Sequence, residues 1–169
     1  LNWMNGVYIR RMTSEVLADT LLDYWCRYPP PELPELPDRN RLAMIVPVVQ
    51  ERLKTLADAA SRIPFFFNPD FDYNPGELVQ RKMDKAGTKR LLEASLETME
   101  KLESSDAATL DRAMRPLADE LGIKIGQLLG TLRVATTGLK VSPPLFESME
   151  ILGKERGIHD IKRAIAKIA

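Results

Sequence analysis

Along the chain, apolar positions recur at three- and four-residue steps, and no stretch keeps the two-residue alternation of a half-buried strand. Leu17, Leu21, Tyr24, Trp25 and Tyr28 form the first stripe, with Thr13 or Ser14 placed to cap its N-terminus. Pro29 to Asp38 reads PPPELPELPD, and five prolines in that segment exclude a helix and predict an extended spacer. A second stripe runs through Leu42, Ile45, Val49, Leu53, Leu56 and Ala60. Pro47 interrupts it at a point that suits the first turn of a further helix. Pro64-Phe65-Phe66-Phe67-Asn68-Pro69 closes this half, and Tyr73-Asn74-Pro75-Gly76 reads as a junction.

Beyond the junction the helical pattern resumes. Thr88 is placed to cap a helix carrying Leu92, Leu96, Met99 and Leu102. Asp106 caps the next, with Leu110, Met114, Leu117 and Leu121 inward and Gly122 as its stop. Ile125, Leu128, Leu129, Leu132 and Ala135 make a third stripe that closes at Gly138. Ser142-Pro143 opens a fourth, through Phe146 and Leu152 to Gly153, and Ile158, Ile161, Ile165 and Ile168 make the last. The pattern predicts an all-α protein of two consecutive helical subdomains, residues 1–73 and 74–169.

Composition narrows this little. At 169 residues the chain is long enough to bury a core, and 44 % hydrophobic with 28 % charged residues is ordinary for a globular protein. Lys plus Arg equals Asp plus Glu, 24 each, so a nucleic-acid partner would have to be met by a local basic patch. Cys26 is the only cysteine, which excludes an internal disulfide and fits a reducing, cytoplasmic setting. The opening Leu1-Asn2-Trp3-Met4-Asn5-Gly6 lacks the charged-then-apolar order of a signal peptide. Without an initiator methionine, it reads as the start of a fragment whose natural beginning lies upstream. No apolar run approaches the roughly 20 residues of a membrane span.

The chemistry of an active site is missing. His159 is the sole histidine, so neither a histidine-based metal cluster nor a Ser-His-Asp triad can be assembled, and it reads as a polar position on the outer face of the last helix. There is no glycine-rich phosphate loop. Glu93, Glu97, Glu100 and Glu103 recur at helical spacing, the pattern of a solvated face. Lys82-Met83-Asp84-Lys85 looks like the ATP-covering Lys-Met-Ser-Lys loop of class I aminoacyl-tRNA synthetases. It stands in a helical region, however, lacks the serine and has no His-Ile-Gly-His partner, so it reads as a solvated basic turn.

Three stretches together resemble bacterial-type glutamyl-tRNA synthetase. Trp3-Met4-Asn5-Gly6-Val7-Tyr8-Ile9-Arg10 is similar to the segment that follows that family's catalytic domain. Glu51-Arg52-Leu53-Lys54-Thr55-Leu56, followed by Phe65-Phe66-Phe67, is similar to its first anticodon-binding subdomain. The stretch GIKIGQLLGTLRVATTGLKVSPPLFESMEILGKER, which contains Lys124 to Arg156, resembles its terminal subdomain almost without gaps. Order and spacing agree along essentially the whole chain.

The resemblance implies a helical cage that holds the anticodon loop, where unstacked bases are read by stacking and by hydrogen bonds to their edges. Arg52 matches the family arginine associated with the last anticodon base, and its presence rather than glutamine implies the form specific for the glutamate tRNA. Read from the residues alone, Arg52 is a surface arginine on one flank of an apolar helix face. Arg133 matches another anticodon contact; by itself it interrupts the Leu128–Ala135 stripe and calls for an internal carboxylate partner. Ser142, Pro143 and Leu145 match a Thr-Pro-Gly-Leu pattern at the anticodon, with Pro144 in place of glycine. Ser142 is equally well placed as a helix N-cap with Pro143 in the first turn. Arg81, Lys82, Lys85, Lys89 and Arg90 crowd one stretch and suit either the tRNA backbone or plain solvation. Phe65–Phe67 and Trp25 read as core. The implied whole is a monomeric glutamate–tRNA ligase acting in translation, whose ATP and Mg²⁺ belong to a catalytic half absent here. The fragment alone is then non-catalytic, free of cofactor and metal. A stand-alone helical protein-interaction or tRNA-binding adaptor is the alternative.

Overall fold

The computed structural model describes residues 2–169, with side chains described from Asn5 onward. Leu1 and the side chains of Asn2, Trp3 and Met4, part of the first matched stretch, lie outside the described residues. Among the described residues there is no strand. The elements are α1 (Asn2–Arg11), α2 (Ser14–Arg27), α3 (Arg39–Val49), α4 (Lys85–Lys101), α5 (Ala107–Leu121), α6 (Ile125–Thr137), α7 (Leu145–Leu152) and α8 (Lys154–Ile168), with short 3₁₀ turns between α3 and α4. They form two compact units, Leu1–Asn68 and Pro69–Ala169.

In the first unit Thr13 caps α2, its hydroxyl accepting from the Val16 amide at 3.2 Å. Leu17, Ala18, Leu21 and Trp25 then fall on one face, which packs on α3 through Leu42, Ile45, Val46 and Val49. Asp38 caps α3 through the Arg41 amide at 3.0 Å, so the proline-rich spacer ends on a helix start. Pro47 does not open a new helix. It sits inside α3, and the helix ends at Val49 and tightens into a 3₁₀ turn over Gln50–Arg52. The stripe expected to run on through Leu53 to Ala60 is therefore irregular chain that still buries Leu53, Ala59, Ala60, Ile63, Phe65 and Phe66. Three-residue spacing in the sequence does not distinguish a helix from successive tight turns that return the same positions to the core.

In the second unit α4 packs lengthwise on α8. Gly157 permits the approach: a Cβ there would lie 2.8 Å from Met99 Cε. Asp84 rather than Thr88 caps α4, accepting from the Gly87 amide at 2.7 Å. Thr88 is fully buried, and its hydroxyl donates to the Asp84 carbonyl at 2.8 Å. Asp106 caps α5 as expected, holding the Thr109 amide at 2.8 Å, and its carboxyl is lowered to about 2 by Ser104 and Thr109. Gly122 and Gly138 end α5 and α6 at φ 68° and 71°, a left-handed geometry that glycine reaches without a Cβ clash. Lys154 Nζ closes the C-terminus of α4 by donating to the Leu102 and Glu100 carbonyls at 2.6 and 3.1 Å.

The division falls after Asn68, ahead of the junction expected at residue 73, because the intervening rings belong to the second core. Phe71 and Tyr73 are buried there, 5.8 Å apart between centroids, and the Arg163 guanidinium lies 4.9 Å from the Phe71 ring. Beneath them Asp160, with no exposed surface, pairs with Arg156 at 2.9 Å. Burial raises the Asp160 carboxyl to about 6 against the pull of Arg156, and burial raises the Tyr73 phenol to about 12.

Candidate nucleic-acid interface

Arg52 ends the 3₁₀ turn that follows α3 and is exposed. It is not on the flank of a helix face. Its backbone is nonetheless held on both sides. Gln50 Nε2 donates to the carbonyls of Ile9 and Met12, both at 2.8 Å, tying the turn to the end of α1. Leu53 follows directly and is fully buried. Asp58 then accepts from the Lys54 and Thr55 amides at 3.0 and 2.9 Å. Burial alone raises the Asp58 carboxyl, but those amides outweigh it and the net shift is downward, so the acid stays ionised and the loop stays tied. The turn presents a guanidinium outward from an anchored backbone.

The second unit brings together Arg133, Ser142, Pro143 and Leu145. Arg133 lies half-buried in the last turns of α6, and its Nε donates to Ser142 Oγ at 3.1 Å. The Ser142 hydroxyl in turn donates to the Pro143 carbonyl at 2.7 Å. Thr137 ties the start of the same loop: its hydroxyl donates to the Arg133 carbonyl at 2.7 Å and accepts from the Leu139 amide at 3.0 Å. Gly138 packs so tightly that a Cβ would stand 2.8 Å from the Phe71 ring. Ser142, Pro143 and Leu145 are all buried, while Lys140 and Val141 stand out at the tip, Val141 at 76 % exposure. The loop is a braced hairpin of chain that offers one aliphatic and one cationic side chain to solvent. A guanidinium so held through Nε keeps its planar fork fixed relative to the loop.

One expectation changes. Ser142 is not an N-cap: α7 begins at Leu145 with Pro144 in the cap position and no side-chain cap bond, because the Ser142 hydroxyl is occupied by Arg133 and the Pro143 carbonyl. Arg133, for which a carboxylate partner was expected, also donates to a hydroxyl, that of Ser142.

The basic stretch separates into different places. Arg81 and Lys82 border a groove of about 600 Å³ beside the start of α6, together with Lys124 and Gly126. A second groove of about 580 Å³ shares Gln80 and Arg81 with the first and runs by Gly130 and Val134 to Lys140. Lys85 instead borders a small concavity with Lys167, and Lys89 and Arg90 are exposed on α4. Lys82 takes φ 65° in a turn ahead of α4, so the Lys-Met-Asp-Lys segment is outside the helix except for Lys85. Lys124, Lys140 and Val141 were missed by sequence reasoning. Lys124 immediately precedes an apolar stripe, and Lys140-Val141 lie between a helix-stopping glycine and two prolines, which is the one signal that marks them as loop-tip residues. Among the described residues no cluster of His, Cys, Asp and Glu has the makings of a metal site. No described helix is long and apolar enough to cross a membrane.

The described residues are thus all helical or irregular, with an anchored arginine turn in one unit and a braced arginine loop in the other. The family model for the anticodon binding domain matches residues 16–165, and the chain belongs to that family. Over 98 % of its length it is 41 % identical to a glutamate–tRNA ligase of Roseiflexus castenholzii, and over 99 % of its length it is 37 % identical to one of Cutibacterium acnes. It spans about a third of those relatives, 33 % and 35 %, and corresponds to their anticodon-binding portion. Among solved structures, a glutamate tRNA ligase from Elizabethkingia meningosepticum superposes with a TM-score of 0.76 over 99 % of this chain and 32 % of that one; at 23 % identity it attests the fold.

Proposed function

We propose that this chain recognises the anticodon loop of the glutamate tRNA as the C-terminal part of a glutamate–tRNA ligase. The observation that carries the reading is the Arg133–Ser142–Pro143 brace, which fixes a guanidinium and an exposed loop tip against one rigid helix end. Fixed planar donors suit unstacked bases, because base edges reward geometry whereas phosphates reward charge alone. In this reading Arg133 and Arg52 contact bases, Ser142 orients Arg133, and Pro143 and Leu145 shape the loop that meets the anticodon. Activation of glutamate, with its ATP and Mg²⁺, belongs to the remainder of the ligase, and the chain acts as a monomer in the cytoplasm. In this reading the isolated chain is non-catalytic, because the chemical step is left to that remainder. Binding of paired anticodon stem-loop hairpins, alike except at the last anticodon base, tests the assignment. Arg52→Gln narrows the preference between the pair by ~1–3 kcal/mol while leaving the salt dependence in place. If Arg52→Gln weakens both hairpins equally, Arg52 is a structural or backbone residue and the glutamate-specific assignment fails with it.

A further inference from the structure

Acidic and basic residues balance over the chain, 24 of each, yet the two grooves beside α6 do not share that balance. Arg81, Lys82 and Lys124 line the first, and no carboxylate does. The second adds Lys140, with Glu77 as the one acid in its lining. Like charges gathered round one concavity repel one another unless an anion occupies it. Lys82 also holds φ 65°, the one non-glycine positive φ among the described residues, which points a lysine into a geometry the backbone disfavours. Gly126 has nothing within 4 Å of where a Cβ would stand, so the wall there is bare backbone open to a ligand. The N-terminal end of α6 adds the positive end of its helix dipole to that potential.

The grooves meet at Gln80 and Arg81 and follow α6 from Lys124 toward the Arg133 loop. Nine residues of helix separate Lys124 from Arg133, roughly 13 Å at the α-helical rise. At 3.4 Å per nucleotide of stacked strand, that is about four nucleotides. We infer that this paired groove is a track for the sugar–phosphate backbone of the strand whose base Arg133 reaches. Lys124, Arg81 and Lys82 hold phosphates at its far end, and Lys140 holds one beside the reading loop. The inference rests on the RNA-binding reading above and deepens it. It divides the basic stretch: Arg81 and Lys82 belong to the track, and Lys89 does not.

The test is binding of an anticodon stem-loop hairpin to the full chain across a potassium chloride series. Lys124→Ala and Arg81→Ala are each expected to lower the slope of log affinity against log salt by about 0.7, and the double variant by about 1.4, as single-strand phosphate contacts do. Discrimination between hairpins differing at the last anticodon base stays unchanged in all three. Gly126→Glu, whose side chain enters open space and leaves the fold intact, weakens every hairpin alike. Lys89→Ala, on the exposed face of α4, leaves the slope as it was. The track is overturned if the double variant keeps the wild-type slope, or if Lys89→Ala loses as much as Lys124→Ala. If the unaltered chain binds no hairpin at any salt concentration, the RNA-binding reading fails and takes the track with it. Normal wild-type binding with unmoved slopes removes the track alone.

Discussion

The two units present an arginine in opposite ways. The first holds Arg52 at the end of a 3₁₀ turn, exposed, on irregular chain fixed by side-chain-to-backbone bonds from Gln50 and Asp58. The second holds Arg133 within a regular helix, half-buried, with its own side chain bonded into the loop it serves. In the first the backbone is anchored and the side chain extends from it. In the second the side chain is itself a structural member. The contrast implies that removing Arg52 subtracts a contact, whereas removing Arg133 subtracts a contact and loosens the loop that carries Ser142, Pro143 and Val141.

The units differ also in what they bury. The second buries an acid, Asp160, paired with Arg156, whereas the buried side chains described in the first are aliphatic and aromatic. The largest expected effect follows from this. Asp160 has a folded pKa raised from 3.8 to about 6, so the folded state holds its proton more tightly than the unfolded chain does. That stability is fully present below pH 3.8 and is lost as pH rises through about 6, on the order of 3 kcal/mol for a shift of that size. Asp72 and Asp106, both lowered by hydrogen bonds, act in the opposite direction over the acid range. Urea melts of wild type and Asp160→Asn between pH 4 and pH 7 check the sign: the substitution removes a component that falls with rising pH. Equal pH dependence in the two proteins rules out the buried carboxyl as its source.

Next in size is Arg133→Ala. It weakens anticodon-hairpin binding by ~1–3 kcal/mol through the lost base contact, and it frees Ser142, so Arg133→Lys recovers little because an ammonium cannot reproduce the Nε fork. Ser142→Ala alone costs less, about 1 kcal/mol, the order of one hydrogen bond. The comparison breaks if Ser142→Ala matches Arg133→Ala, since the loop rather than the guanidinium would then carry the binding. Arg52→Gln changes discrimination at one base by ~1–3 kcal/mol and leaves the backbone anchors from Gln50 and Asp58 in place, so the first unit melts as before. A drop in stability on Arg52→Gln contradicts the contrast between the two arginines. The smallest effect is Lys85→Ala, which borders neither groove of the track and changes affinity by no more than about 0.5 kcal/mol, the range of an exposed surface substitution.

Much of this was legible in the chain. Asp106 with Gly122, and the α6 stripe with Gly138, set two helices within a residue of their ends, because caps and stops act over a single turn and need no distant partner. The same locality explains the correct outer-face placing of His159 and the solvated row of Glu93, Glu97, Glu100 and Glu103. Where the reading slipped, two local solutions competed. Thr88 and Asp84 are both capping residues four apart, and only the burial of Thr88 against the second core selects Asp84. Pro47 suits a helix start as well as a tolerated interior place, and only the packing of Val46 and Val49 on α2 carries α3 past it.

For the candidate site, the residues were proposed from the linear sequence, and folding decided which of them touch. The order Arg133, Ser142, Pro143, Leu145 marked a loop and its chemistry, because a resemblance preserves order and spacing. The bond between Arg133 and Ser142 did not follow, since the sequence allowed Ser142 a helix amide and Arg133 a carboxylate, each a sound local choice. The hydroxyl can satisfy only one arrangement, and the return of the loop over the end of α6, forced by the left-handed Gly138 against Phe71, decides which. Lys124, Arg81 and Lys140 are far apart in the sequence and carried no common signal. They border adjoining grooves because the segment before α4 lies alongside α6, where the buried Thr131 hydroxyl donates to the Leu78 carbonyl at 2.7 Å. Local bonding rules write helices and their ends into the sequence, whereas a shared electrostatic surface exists only once distant segments have been packed side by side.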